Sequence, residues 1–175
     1  MQEKTLGTVY LIIGKVCSGK TTFARDISKI HRAVILSCDE LLLTLHSYST
    51  SFDFDAEIKQ VKKYLFDLTT NLTSVGTNIV LDWGFWEAKE RDNIDSLLSE
   101  KGIPHEWHYM LPNDNLRKEY IRTRNAKTSP IEFYIDSGLL KKCDEKFNVP
   151  TVTELKEKKV IIHDQQTSAY IPNST

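Results

Sequence analysis

The sequence predicts an α/β fold in which a parallel β-sheet carries helices on both faces. Short apolar segments alternate with segments of helical periodicity along the 175 residues, and such alternation is typical of parallel sheets with right-handed crossovers. The segment GKVCSGKT lies between the first apolar run and the first helical pattern. Asp39 follows the second apolar run closely, and Asp82 ends the third. Because ligands of such folds bind beyond the carboxyl ends of the strands, these residues indicate where a site lies.

The first half of the chain contains three predicted strands. Near-continuous apolar runs, which are expected of strands buried on both faces, place them at residues 7–13, 33–37 and 78–82. Between the first two strands, Phe23 and Ile27 have the spacing of a helix that begins near Lys20. Residues 55–75 carry an apolar residue at every third or fourth position and are followed by Gly76, a favoured C-terminal cap. That segment is therefore predicted to be an amphipathic helix.

The second half of the chain contains two further predicted strands and several helices. The strands are predicted at residues 106–111 and 159–164. The helices are predicted at about 87–101, at 113–126, around 139–147 and after a capping box formed by Thr151 and Glu154. The length suits one hydrophobic core, and the chain shows no internal repeat or linker. The sequence therefore predicts a single domain over residues 1–175.

The composition is that of a soluble globular protein. A net charge of −1 and a pI of about 6.5 give no global positive field that would attract nucleic acid. The N-terminus lacks the layout of a signal peptide, and no stretch approaches the length of a membrane span. Cys17, Cys38 and Cys143 show no metal-ligand spacing and are interpreted as free thiols of a reducing compartment. These features predict a cytoplasmic protein without a membrane partner, and they disfavour nucleic acid.

Residues 14–21, here called the phosphate loop, match the pattern G-x-x-x-x-G-K-[ST] in full. The glycines let successive backbone N–H groups face one anion, and the following helix points its positive end at the same anion. Lys20 supplies a point charge to the β- and γ-phosphates, and the Thr21 hydroxyl suits the ligand shell of Mg²⁺. The pattern does not separate a kinase from a hydrolysing switch or motor. The residues predicted to bind ATP are Gly14, Lys15, Val16, Cys17, Ser18, Gly19, Lys20, Thr21 and Thr22.

Two aspartates near strand ends are candidates for the chemistry. A carboxylate at Asp39, near the γ-phosphate, can accept the proton of a substrate hydroxyl. Aspartate is also a favoured helix N-cap, and the two roles are compatible. Asp82 ends a strand beside the phosphate loop, a position from which it would hold Mg²⁺ together with Thr21. Asp82 would otherwise contact substrate or form the turn before Gly84, and residues 40–57 are predicted to line the acceptor pocket.

The segment after Asp82 combines aromatic residues with an arginine. Trp83, Phe85 and Trp86 are interpreted either as core packing or as the apolar wall of an acceptor pocket. Arg91 lies on the following helix. It is predicted either to reach back to the substrate or to pair with Glu87 one turn earlier.

A basic segment follows the fourth strand. Arg124 is the first candidate for an arginine that closes over the transferring phosphate, and Arg117 or Arg122 is the second. The alternative is a solvated helix face. The position of the segment, followed by an insertion before the last strand, predicts a lid over residues 122–147 or thereabouts.

With these motifs the chain resembles the small P-loop kinases of the adenylate-kinase-like group. It is most similar to the ATP-binding kinases related to zeta toxins, chloramphenicol phosphotransferase and the kinase domain of polynucleotide kinase. The matching segments are IIGKVCSGKTT, LSCDE, IVLDWGFWEAKERD, RTRNAK and FNVP. The resemblance implies a three-layer P-loop kinase fold with a five-stranded sheet of order 2-3-1-4-5 and a helical lid. It also implies that Asp39 is the base, that Arg124 is a lid arginine and that Pro150 lies near the adenine.

Two positions depart from the pattern of these families. Tyr120 stands where the lid often has a second arginine, and Leu42 stands where polynucleotide kinases carry an arginine after the base. The sequence also lacks the N-K-x-D motif of switch GTPases. We therefore predict an ATP- and Mg²⁺-dependent phosphotransferase acting on a hydroxyl of a small molecule, with Asp39, Lys20 and Arg124 as catalytic residues. The alternatives are a polynucleotide 5′-hydroxyl kinase and a nucleotide-binding or hydrolysing regulatory protein.

Overall fold

The computed structural model describes residues 5–46, 54–111, 113–126 and 134–164. Within these ranges strands and helices follow the predicted order. The strands are β1 (Val9–Ile13), β2 (Val34–Ser37), β3 (Ile79–Gly84), β4 (His105–Leu111) and β5 (Ile161–Asp164). The helices are α1 (Lys20–His31), α2 (Cys38–His46), α3 (Phe54–Ser74), α4 (Ala88–Glu100), α5 (Asp114–Ala126), α6 (Ser137–Lys146) and α7 (Val152–Glu157).

The five strands form one parallel sheet in the order β2-β3-β1-β4-β5. The central strand β1 is buried along its whole length, as its unbroken apolar sequence predicts. On one face of the sheet, Leu11 belongs to a core that includes Leu65 of α3 and Leu98 of α4. On the other face, Ile12 belongs to a second core that includes Ala24 of α1. Helices cover both faces, so the three-layer α/β fold and the strand order are confirmed.

Strand β3 extends further than the sequence predicts. It runs to Gly84 rather than ending at Asp82. The cause is a backbone hydrogen bond of 3.2 Å from the Gly14 N–H to the Gly84 carbonyl. Gly84 and Phe85 then have left-handed φ values of +78° and +44°, which turn the chain toward α4. Asp82 is therefore fixed inside the strand, next to the phosphate loop.

Two predicted functional segments are described only in part. Residues 47–53 of the predicted acceptor pocket and residues 127–133 of the predicted lid lie outside the described residues. The described part of the lid segment comprises the end of α5 and the whole of α6. None of the helices in the described ranges combines the length and the apolar composition needed to cross a membrane.

Candidate active site

The phosphate loop leaves β1 and curls tightly into α1. Cys17 and Gly19 have left-handed φ values of +56° and +85°, which let the chain reverse within a few residues. A Cβ atom at Gly14 would lie 2.4 Å from the Oγ of Ser18, so any other residue there would force the Ser18 side chain or the loop to move. The N-cap of α1 is Gly19, which has no side chain to occupy the first N–H groups of the helix. The loop and the helix end therefore present N–H groups to an anion.

Lys20 folds back across the phosphate loop. Its Nζ donates a hydrogen bond of 2.6 Å to the carbonyl of Lys15. Burial lowers the pKa of the Lys20 ammonium, and the charges of Asp82 and Asp39 oppose that shift. Asp82 and Asp39 are thus close enough for their charges to raise the pKa of the Lys20 ammonium, which is predicted to bind phosphate.

Thr21 and Asp82 meet at the start of α1. The Thr21 hydroxyl donates to Oδ2 of Asp82 at 2.8 Å. Adjacent ligands of an octahedral Mg²⁺, each about 2.1 Å from the metal, lie about 3.0 Å from one another, so the separation of these two oxygens is close to the one that Mg²⁺ needs. Both are hard oxygen donors of the kind that Mg²⁺ prefers. Further ligands would come from water and phosphate oxygens, since the described residues contain no cluster of three or more protein metal ligands.

Asp39 lies in the first turn of α2 and does not cap it. The cap is Ser37, whose Oγ accepts a hydrogen bond of 3.3 Å from the Glu40 N–H. Desolvation by the surrounding protein raises the pKa of Asp39, and the negative charge of Asp82 raises it further. Three cations oppose the rise, namely Lys20, Arg124 and Lys62. The Asp39 carboxylate is therefore influenced by the charges around the phosphate loop, and it does not cap α2.

Arg124 extends from the last turn of α5 to the phosphate loop. Its Nη1 lies 3.9 Å from the Sγ of Cys17. Its charge lowers the pKa of Lys20 and also that of Asp39. The described structure thus brings Arg124 together with Lys20 and Asp39, the other two residues that the sequence predicts to be catalytic.

The two candidates for a second lid arginine have different surroundings. Arg122 is exposed on α5. Arg117 is only 7% exposed, and its Nε donates to the carbonyl of Val16 in the phosphate loop at 2.8 Å. Its Nη1 and Nη2 donate to the two carboxylate oxygens of Asp144 on α6, at 3.0 and 2.6 Å. Arg117 therefore contacts the loop backbone, and its guanidinium is already bound by protein groups.

Arg91 does not have either of its predicted roles. Its side chain is completely buried and forms a two-pronged ion pair with Glu154 of α7. Its Nη1 donates to the carbonyls of Phe85 and Trp86 at 3.0 and 3.2 Å. The guanidinium pairs with Glu154 and not with Glu87, and it has no surface left for a substrate. Arg91 instead fixes the turn that follows β3.

The aromatic residues after Asp82 belong mainly to the core. Trp83 is 9% exposed and Phe85 is fully buried, with ring centroids 5.6 Å apart. The indole of Trp83 donates to the carbonyl of Leu36 at 3.1 Å, and Phe85 meets Trp107 edge to face. The packing interpretation therefore applies to Trp83 and Phe85, while Trp86 is half-buried between two apolar clusters.

The segment FNVP lies beside the beginning of the phosphate loop. The ring of buried Phe147 lies 5.9 Å from the Nζ of Lys15. The Asn148 N–H donates to the carbonyl of Trp86 at 2.8 Å, and its side-chain oxygen accepts from the first N–H of α4. Pro150 is buried. The contact with adenine that the resemblance implies for Pro150 stays a prediction.

Two ion pairs near the site escaped the sequence analysis. Lys62 of α3 pairs with Glu90 of α4, and the charge of Lys62 lowers the pKa of Asp39. The other is the pair of Arg117 with Asp144. The sequence names Arg117 as a candidate lid arginine, but nothing near position 144 indicates its partner 27 residues away.

The fold is that of known P-loop kinases. It is similar to a putative kinase from Chloroflexus aurantiacus, with 14% identity, 91% of this chain and 88% of the other covered, and a TM-score of 0.70. It is similar to Kti12 of Chaetomium thermophilum, solved with ADP-AlF3, with 12% identity, coverage of 92% and 91%, and a TM-score of 0.68. A gluconokinase from Sinorhizobium meliloti matches with 13% identity, coverage of 91% and 83%, and a TM-score of 0.57.

No curated protein sequence matches the chain closely enough to count as a relative. A family model described as AAA domain, AAA_33, matches residues 9–150. The match begins at β1 and ends at Pro150, so it includes the phosphate loop, both aspartates and the arginine segment. The chain therefore belongs to this AAA domain family and has an ATP-binding, P-loop kinase fold.

Proposed function

We propose that the protein is an ATP- and Mg²⁺-dependent phosphotransferase that moves the γ-phosphate to a hydroxyl group of a small molecule. The observation that carries the proposal is the placement of Asp39. Its carboxylate lies close enough to Lys20, Asp82 and Arg124 for their charges to shift its pKa, while Ser37 caps α2. A nucleotide-binding switch needs the phosphate loop, but it does not need a spare base next to it.

The phosphate loop would bind the triphosphate. Backbone N–H groups of the phosphate loop after Gly14, whose own N–H is bound to the Gly84 carbonyl, and of the first turn of α1 would surround the β-phosphate. Lys20 would exchange its hydrogen bond with the Lys15 carbonyl for the phosphate oxygens, since its flexible side chain already reaches across the loop. Thr21 and Asp82 would hold the Mg²⁺, which would neutralise negative charge on the phosphates.

Asp39 would act as the general base. As the acceptor oxygen forms its bond to the γ-phosphorus, the hydroxyl proton passes to the Asp39 carboxylate, and the bond from phosphorus to the β-phosphate oxygen breaks to release ADP. The raised pKa of Asp39 makes it a stronger base than an ordinary aspartate. Lys20 and Arg124 would stabilise the negative charge on the transferring group.

The surroundings of Asp39 support a small acceptor over a nucleic-acid end. Leu42, at the position where polynucleotide kinases carry an arginine, is fully buried in the core. Lys62, whose charge lowers the pKa of Asp39, is paired with Glu90. An acceptor with a phosphodiester backbone would find little uncompensated positive charge in the described part of this region.

The proposal is tested by acceptor-dependent ADP formation. The purified protein is incubated with ATP, Mg²⁺ and separate pools of metabolites, nucleosides, antibiotics, and DNA or RNA ends, with a γ-labelled phosphate to identify the product. We expect one small-molecule pool to stimulate ADP release and to take up the label. Labelled nucleic-acid ends as the main product would replace the small acceptor with a polynucleotide. ADP release at the same rate with every pool, and no labelled acceptor, would indicate a hydrolysing regulator.

A further inference from the structure

We propose that Arg117 and Asp144 are positioning residues that hold the phosphate loop in its nucleotide-binding conformation. The fork of Arg117 binds two elements at once. Its Nε donates to the Val16 carbonyl at 2.8 Å, and its two terminal nitrogens bind both oxygens of Asp144. Val16 belongs to the phosphate loop, Arg117 to α5 and Asp144 to α6. One guanidinium therefore links the loop to both helices of the lid segment.

The contact fixes a peptide unit that phosphate binding requires. In a trans peptide the carbonyl and the next N–H point in opposite directions, so a bond to the Val16 carbonyl also sets the direction of the Cys17 N–H. Cys17 has a φ of +56°, a left-handed value that is unfavourable for a residue with a side chain and persists only when its surroundings hold it. The hydrogen bond from Arg117 to the Val16 carbonyl stabilises this conformation from the outer side of the loop. The Cys17 N–H then points to the inner side, where it can bind the phosphate.

Apolar packing independently joins the same elements. Val16 lies in a buried cluster with Ile135 and with Cys143 of α6. Arg124, two turns after Arg117 on α5, lies against Cys17. Two consecutive loop residues are thus contacted from one face of α5, and the base of the lid segment is fastened to the loop.

Neither member of the pair is placed to touch the nucleotide. Arg117 is 7% exposed, and its Nε, Nη1 and Nη2 all have protein partners. Asp144 carries a negative charge and reaches the loop only through Arg117. The inference therefore concerns affinity for nucleotide, and it rests on the ATP-binding part of the proposed function but not on the acceptor or on Asp39.

The test compares the affinity for Mg·ATP, measured by calorimetry, in Arg117→Met and Asp144→Asn with that of the unaltered protein. Matched controls are Lys118→Met and Glu145→Gln, which remove the same charges from exposed neighbouring positions on α5 and α6. We expect Kd to rise at least about tenfold in Arg117→Met, equivalent to about 1.4 kcal/mol, and by a smaller factor in Asp144→Asn. Both controls should bind like the unaltered protein. Arg117→Lys should recover part of the loss, because a lysine can still donate to the Val16 carbonyl.

A second readout separates loop positioning from simple helix-to-helix attachment. Cys17 is partly exposed, whereas Cys38 and Cys143 are buried, so alkylation of Cys17 followed by mass spectrometry reports the freedom of the loop. We expect Arg117→Met to accelerate Cys17 alkylation at a temperature where the protein stays folded. The charge-exchanged double variant Arg117→Asp with Asp144→Arg restores an ion pair but supplies no donor from position 117 to Val16. It should regain thermal stability without regaining ATP affinity.

Contrary outcomes are distinct. Unchanged Kd and unchanged alkylation in Arg117→Met, with only a lower melting temperature, would overturn the positioning role. If Arg117→Met does not fold, Asp144→Asn decides, and an affinity equal to that of Glu145→Gln would overturn the role of the pair. If the unaltered protein itself fails to bind Mg·ATP, the proposed function is what fails.

Discussion

Replacing Arg91 with methionine is expected to destabilise the protein strongly, because its buried guanidinium pairs with the buried carboxylate of Glu154. Its buried guanidinium donates to Glu154 at 2.5 and 2.9 Å and to the carbonyls of Phe85 and Trp86 at 3.0 and 3.2 Å. Methionine would leave the buried Glu154 carboxylate without its counter-charge, which costs about 3–5 kcal/mol. The Phe85 and Trp86 carbonyls also lose a donor, but relaxation of their surroundings keeps that cost small. We therefore expect the free energy of unfolding to fall by about 4 kcal/mol. That is a large part of the roughly 5–15 kcal/mol available to a typical domain.

The loss is measured by urea unfolding followed by far-UV circular dichroism. Glu87→Gln is the matched control, because Glu87 is the partner that helical spacing predicts for Arg91 but not the one that the structure shows. It should change the unfolding free energy by less than about 0.5 kcal/mol. The double variant Arg91→Met with Glu154→Leu should recover most of the loss, since both charges are removed together. A loss below about 1 kcal/mol in Arg91→Met, the size typical of an exposed ion pair, would refute the reasoning.

Three further predictions concern acid stability and the phosphate loop. Burial, with smaller contributions from the charges of nearby His163 and His31, lowers the pKa of His108 to about 4. The unfolded chain therefore takes up a proton below about pH 6.5 that the folded protein resists. Stability is full above that pH and should fall by about 2 kcal/mol toward pH 4, allowing for solvent screening. His108→Gln should flatten this profile in pH-dependent urea titrations, and an unchanged profile would exclude His108 as the cause. Gly14→Ala should raise the calorimetric Kd for ATP at least about tenfold, because its Cβ has no room; normal affinity would contradict that. Thr21→Val should weaken binding of Mg·ATP but hardly that of metal-free ATP, and equal losses would speak against a magnesium role.

The fold follows from patterns that are local in the sequence. The first three strands coincide with apolar runs, and the long helices show apolar residues at helical spacing, so these elements are identified from residues close together in the sequence. The order of the strands is a long-range property, and it came from the resemblance to known kinases rather than from any single segment. The sequence does not indicate that β3 continues to Gly84, because the hydrogen bond that extends the strand comes from Gly14, just after β1.

The candidate site likewise contains residues that local sequence patterns identify and contacts that they do not. The phosphate loop is a contiguous motif, and Asp39 and Asp82 are found by the rule that sites lie at the carboxyl ends of parallel strands. The partners of the buried arginines are not local. Glu154 is 63 residues from Arg91, and Val16 is 101 residues from Arg117. Helical spacing suggests only neighbours three or four residues away, so it favoured Glu87 wrongly.

The most direct test of the central claim is phosphoryl transfer by Asp39→Asn. With Mg·ATP and the acceptor found by the screen, γ-labelled phosphate transferred to the acceptor is measured for this variant and for the unaltered protein, and calorimetry gives the ATP affinity of both. Asparagine keeps the shape of the side chain but cannot take up the proton, so transfer should fall by at least about 100-fold while the Kd for ATP stays within about twofold. Transfer at a near-normal rate in Asp39→Asn would contradict the account, because the carboxylate beside the phosphate loop would then not be the base.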